Sequence, residues 1–274
     1  MIKRNTHRYS VSAMCKALGV ARSTYYEHKA KAPKDEYALE HEITKIFVAS
    51  RRAYGTRRIK RTLTRQGTVL SRRRIGVIMK RLGLVSTHCK PKYKRAKENH
   101  ISTDCPNIVN RNFDGHRKAK ILVSDLTYVR VGSKWAYVCL LLDLGTREVV
   151  GYSSGQRRDA YLVRQAFASY RGDLREVEIF HSDQGSEYIN QPTDELLEAF
   201  MITRSTSRVS NPFDNAVAES LNKSFKKEFV YQEIFETMID LQVKLAAWVW
   251  WYNNERLHSS LDYLTPREYA IQAL

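Results

Sequence analysis

The feature that most constrains this chain is a change of period at Lys120. Before it the apolar residues recur at helical spacing; after it three short apolar runs follow one another, separated by Gly132 and Gly145. In residues 121–129, Ile121, Val123, Asp125, Thr127 and Val129 alternate onto one face, so a carboxylate stands in mid-strand among apolar neighbours. A buried carboxylate is costly unless a cation or a hydrogen-bond partner meets it. Residues 135–143 and 148–153 complete a predicted antiparallel meander of three strands. Alternation then gives way to a helix at 159–170, a short strand at 177–181, a helix capped by Thr193 and a fifth strand at 201–203. Helices over 212–229 and 234–252 close the pattern. Three hairpin strands followed by alternating helices and strands is the order of an α/β fold with an RNase H-like mixed five-stranded sheet flanked by helices.

Two further acids complete a constellation. Asp183 ends the run Val177-Glu-Ile-Phe-His-Ser-Asp183, and Gly185 just beyond lets the backbone turn at the strand end. Glu219 follows after 35 residues on the helix opened by Asn211-Pro-Phe-Asp-Asn215, where Asn211 is the expected N-cap and Asp214 closes a capping box. At 100° per residue Glu219 lies off the apolar stripe of Val217, Leu221, Phe225 and Phe229, on the side of Asn215, Lys223 and Lys226. An all-oxygen donor set suits Mg²⁺, with Mn²⁺ as substitute. Two such ions roughly 3.5–4 Å apart clamp both oxygens of an in-line phosphoryl displacement. Asp125, Asp183 and Glu219 are therefore the expected catalytic and metal-binding residues. His181 shares the face of Asp183 and could orient it, and His258 is a second auxiliary candidate; each has an equally simple structural reading.

Charge is divided along the chain. Residues 1–100 carry 26 Lys and Arg against 6 Asp and Glu, while the whole chain of 274 residues has a net charge of +17. The excess lies entirely in the first third, which points to a polyanion-binding front end. Residues 11–18 and 21–29, with Gly19 between, read as a first helix-turn-helix (domain 1–36). A second basic one spans 37–99, with Ser71 capping a helix to Arg81. Arg57, Arg58, Lys60, Arg61, Arg65, Arg72, Arg73 and Arg74 fall on its outer faces and are candidate phosphate contacts, with Lys223, Lys226 and Arg256 added from the second half. Residues 100–118 read as a linker on Pro106, Gly115 and weak periodicity, and the catalytic domain as 119–274. A mobile loop is expected over 204–210. The four cysteines are scattered without a Cys-x-x-Cys pair and no apolar run could span a bilayer, so a cytosolic protein with reduced thiols and no structural zinc is expected.

The segments Ser124-Asp-Leu-Thr-Tyr128, His181-Ser-Asp-Gln-Gly-Ser186, Asp214-Asn-Ala-Val-Ala-Glu219 and Tyr252-Asn-Asn-Glu-Arg-Leu-His258 resemble the signature blocks of DDE transposases with a retroviral-integrase core. More narrowly, the chain resembles the OrfB product of two-frame bacterial insertion sequences, with Tyr54-Gly-Thr-Arg-Arg58 similar to that group's helix-turn-helix. Ser124 stands where Thr is commoner. The resemblance implies two Mg²⁺ bound by Asp125, Asp183 and Glu219, and Lys226 against DNA beside the cleaved phosphate. It implies cleavage and strand transfer at element ends through a circular intermediate, by a homo-oligomer on double-stranded DNA in the bacterial cytoplasm, at the nucleoid. It also leaves an alternative: a non-catalytic DNA-binding subunit that acts only when a frameshift fuses it to an upstream-frame product.

Overall fold

The computed structural model describes residues 2–30, 36–89, 105–115, 119–208 and 212–272. The chain forms two compact units, Met1–Lys45 and Ile46–Leu274. In the first, helices α1 (Val11–Ala17) and α2 (Arg22–Ala30) are joined through Gly19, whose φ of +62° needs a residue without Cβ strain. Ser10 caps α1 by accepting from the Ala13 amide. Helix α3 (Glu36–Ala49) runs from this unit into the second.

The second unit begins with α4 (Thr56–Arg65) and α5 (Arg72–Arg81). Ile59 and Leu63 of α4 pack with Ile75, Ile78 and Met79 of α5, and Ser71 caps α5 as expected. The pair is fastened to the C-terminal end of the same unit. The Tyr54 hydroxyl donates to the Glu255 carbonyl at 3.2 Å and accepts from the Leu257 amide at 2.7 Å.

The sheet contains β1 (Ile121–Val131), β2 (Lys134–Asp143), β3 (Val149–Gly155), β4 (Ile179–Ser182) and β5 (Thr203–Thr206) in the order β3-β2-β1-β4-β5. β1, β2 and β3 pair antiparallel, and β4 and β5 add in parallel beyond β1. Alternation sorts the strand residues to two cores. Leu122, Cys139 and Leu141 meet α6 (Ala160–Ala168) and α7 (Gln191–Ala199) through Leu162, Phe167 and Leu197. Val123, Val129, Val138 and Leu140 meet the opposite layer, α8 (Ala216–Phe225) and α9 (Met238–Asn254), through Leu221, Phe225, Leu245 and Trp248. α10 (Pro266–Gln272) packs against α9. No helix among the described residues is long and apolar enough to cross a membrane.

Several local expectations shift. Asn190, not Thr193, caps α7, because its side-chain oxygen accepts from the Thr193 amide and Pro192 follows in the first turn. The fifth strand starts at Thr203, since Met201 turns the chain at φ 58°. α9 begins at Met238 under a Thr237 cap, and Ile234 is left 82% exposed. The helix expected to run through Phe229 changes at Lys226 into a π-turn, Lys226–Val230. Residues 105–109, expected within the linker, lie along β5: Ser205 Oγ accepts from the Ile108 amide and Val109 is buried in the core. Arg204, expected in a loop, lies in β5, and residues 209–211, including the expected cap Asn211, lie outside the described residues.

Candidate active site

Asp125 lies on the β1 face that looks towards α8, opposite Leu140 of β2. Asn222 of α8 donates to its Oδ2 at 2.7 Å. Asp183 follows immediately after β4, whose register places His181 beside Val123 of β1; two residues on from each lie Asp183 and Asp125. Parallel pairing thus brings the two carboxylates to the same level on neighbouring chain segments, Asp125 in mid-strand and Asp183 just past a strand end, and the Gly185 amide donates to Asp183 Oδ1 at 3.0 Å. Burial raises the Asp125 carboxyl to about 7; the charge of Asp183 adds to this, the Asn222 hydrogen bond and Lys226 oppose it, and Glu219 contributes least.

Glu219 sits one helical turn before Asn222 and Lys223. Its Oε2 accepts from Lys223 Nζ at 3.3 Å. Lys226 opens the π-turn and places Nζ over the Tyr128 ring, 5.0 Å from its centroid, on the strand that carries Asp125. π-turns of this kind often re-aim side chains at working sites. No group of three His, Cys, Asp or Glu side chains is gathered closely enough to enclose a metal ion among the described residues. The donors nonetheless have the right chemistry: acid oxygens only, with Asp125 and Asp183 in mutual repulsion that a divalent cation would relieve, and Glu219 paired with the exposed Lys223.

Three expected contacts lie elsewhere. Arg256 is 3% exposed and not on a DNA-facing surface. Its fork donates to both oxygens of Glu228 at 2.7 and 2.8 Å, and Glu228 also receives His88 Nε2 at 2.6 Å. His258 accepts from Arg256 at 2.8 Å through Nε2; burial and the surrounding cations Arg256, Arg58 and Arg147 hold it neutral. His181 is fully buried, with one ring nitrogen on Ser205 Oγ at 2.8 Å and the other on the Asp214 carbonyl at 3.0 Å. Both nitrogens are occupied, so His181 ties β4 to β5 and to the turn before α8 rather than meeting substrate. Arg111 and Arg208 bind the two oxygens of Asp214 and hold its carboxyl below the ordinary range, while Asn211, its expected capping-box partner, lies outside the described residues.

Of the basic side chains on α4, Arg65 pairs with Glu268 and the Tyr263 carbonyl, Arg61 lies over the Tyr263 ring and Arg58 over Tyr54. Arg57, Arg72, Arg73 and Arg74 are exposed, and Lys60 is half-buried. Sequence reasoning passed over Asn222 and Asn215, although Asn215 lies in the motif before Glu219 and Asn222 one turn after it. Asn215 donates to the Ser124 carbonyl at 3.2 Å and so sets α8 against β1 beside Asp125. Tyr188 was missed as well; its hydroxyl meets Ser124 Oγ at 2.9 Å beneath the site.

Models of the integrase core domain match residues 115–212 and 201–266, and a model of an HTH-like domain matches residues 34–93. The putative transposase InsK of insertion sequence element IS150 from Escherichia coli (strain K12) is 30% identical over 270 residues, covering 96% of this chain and 94% of that protein. The chain belongs to the insertion-sequence transposases. The IS904 transposase of Lactococcus lactis is 29% identical over 247 residues, which is 89% of this chain and 98% of the relative. The IS600 31 kDa protein of Shigella sonnei is 31% identical, over 92% of this chain and 96% of that one. Among solved structures, the HTLV-2 integrase catalytic core domain in complex with magnesium aligns with a TM-score of 0.44 at 15% identity, covering 56% of this chain and 97% of that one. This transposase is thus a DNA-binding enzyme of the polynucleotidyl transferase and endonuclease class, with an integrase core behind a helix-turn-helix-like region.

Proposed function

We propose that Asp125, Asp183 and Glu219 form the catalytic triad and that they hold two divalent cations, Mg²⁺ or Mn²⁺. The observation that carries this reading is the pairing of β1 with β4, which sets Asp125 beside Asp183 under the helix bearing Glu219. Cations bound there would supply Lewis-acid stabilisation of the charge that develops on the oxygens of a phosphodiester under attack. Asn222 holds the Asp125 carboxylate in one orientation, and Asn215 and Tyr188 fix the strand beneath it through Ser124. Lys226, propped on Tyr128, positions a DNA phosphate next to the acids. The exposed Arg57, Arg72, Arg73 and Arg74 hold the duplex through its backbone.

The substrates on this reading are the element's ends and a target duplex in the bacterial cytoplasm, at the nucleoid. The protein acts as an oligomer on DNA, joined to an upstream-frame product where one is made. A helix-turn-helix over 1–36, a second basic one over 37–99 and a catalytic core over 119–274 are the proposed organisation of the chain, with residues 105–109 of the expected linker packed on β5 as part of the core. Labelled element-end duplexes incubated with Mg²⁺ or Mn²⁺ test the reading. Wild type should cut and join strands, and Glu219→Gln should bind the same DNA without product. Product formation undiminished in Glu219→Gln would remove that residue from the triad.

A further inference from the structure

The rear of α8 borders a cavity of about 390 Å³, a volume within the range of small-ligand sites. Its walls come from α4, the turn between β2 and β3, α8 and the segment after α9; Arg58, Arg147, Arg256 and His258 line it, with hydroxyls such as Ser220 and Ser260 at its rim. The residues of α8 that face it, among them Val217, Ser220 and Ser224, lie on roughly the opposite side of the helix from Glu219, Asn222 and Lys226. The cavity is therefore separate from the candidate active site.

Among the described residues its lining holds no Asp or Glu. Arg256 is neutralised from beneath by Glu228. Arg58 has no carboxylate partner among the described residues; it lies 5.5 Å over the Tyr54 ring, where burial and the charge of Arg256 lower its pKa. Arg147 carries the independent observation. It is only 9% exposed, its NH2 donates to the Phe113 carbonyl at 2.8 Å and to Asp114 Oδ1 at 2.9 Å, and its buried NH1 has no acceptor among the described residues. A buried guanidinium N–H without an acceptor is costly, so native structures usually supply one. His258, accepting from Arg256 at Nε2, carries its proton on Nδ1 and adds a further donor. Guanidinium groups, an imidazole N–H and adaptable hydroxyls match the oxygens of a phosphoryl group, and of the three guanidinium groups Arg58 is the one that no carboxylate pairs with among the described residues.

We infer that this cavity is a phosphoryl-anion site, filled by a phosphate of the DNA backbone or by a free phosphate-bearing small molecule. Occupancy would join α4 to the rear of α8 and to the chain after α9, bracing the catalytic helix from the side away from its acids.

Titration calorimetry of the full chain with inorganic phosphate, against chloride at matched ionic strength, tests the inference. Wild type should bind one phosphate saturably. Arg147→Gln should weaken binding by at least about tenfold, the loss of one charged hydrogen bond. Ser260→Glu, an exposed change at the rim that leaves the core packing alone, should weaken it comparably by repulsion, with an unaltered circular dichroism spectrum; it decides the matter if Arg147→Gln fails to fold. No saturable binding by wild type, or undiminished affinity in Ser260→Glu, overturns the site. Adding an element-end duplex then separates the sources: displacement of phosphate identifies the backbone, and phosphate retained beside bound duplex identifies a free phosphoryl ligand.

Discussion

Replacing Glu228 by Gln removes one charge from a fully buried cluster and leaves its shape almost intact. Glu228 accepts three short bonds, two from Arg256 and one from His88, and Arg256 is itself buried. Burial pushes this carboxyl up, but Arg256 and His88 outweigh it and hold it at about 2 rather than 4.5. A displacement of that size corresponds to about 3 kcal/mol. Mutational experience with buried ion pairs points to the same range, about 3–5 kcal/mol when one partner is removed and the other left uncompensated. Because the folded value is depressed, this stabilisation is fully present above about pH 4.5 and is lost as the pH falls towards about 2. Urea unfolding followed by tryptophan fluorescence reads the core directly, since Trp248 and Trp251 are buried in it. Glu228→Gln should lose about 3–5 kcal/mol at pH 7. The gap to wild type should close as both are taken below pH 4. Pairing Glu228→Leu with Arg256→Met should cost less than the sum of the single changes, because no charge is stranded. A loss below about 1 kcal/mol at pH 7, the scale of an exposed pair, or a gap independent of pH, would refute the argument that the buried pair holds the end of α9 to the π-turn.

Asn222→Ala should reduce strand cleavage by about 10–100-fold, the range for a residue that orients a metal ligand, while a filter-binding assay shows unchanged DNA affinity; a weakened complex with normal turnover would contradict this. If the basic front end contacts about 6–10 phosphates, affinity for duplex should fall by about 10³–10⁵ between 50 and 200 mM salt. Arg72→Gln should lower the log–log slope by about 1, and Arg65→Gln, already paired with Glu268, should leave it nearly unchanged. A Cβ at Gly151 would lie 2.6 Å from the Ala166 carbonyl and 2.9 Å from Leu141, so Gly151→Ala should lower stability by about 1–3 kcal/mol in the same urea assay.

Local patterns in the chain determined most of the architecture. The alternation in β1 faces Asp125 towards α8, Ser71 and Asp159 cap helices with their own side chains, and the meander follows the glycine-marked turns. These outcomes depend on neighbours within a few residues, where period and capping chemistry are legible. The acids of the candidate site were legible too, because a mid-strand Asp, a strand-end Asp and a helical Glu stand out against their surroundings. Partners that act across long separations were not. Asn222 meets Asp125 across 97 positions, and Tyr54 meets Leu257 across 203. Arg256 and Arg57 look alike as letters, yet one is drawn inwards by Glu228 and the other left at the surface. Only packing decides which cation is neutralised inside and which stays at the surface, because burial and charge pairing are properties of neighbours in space.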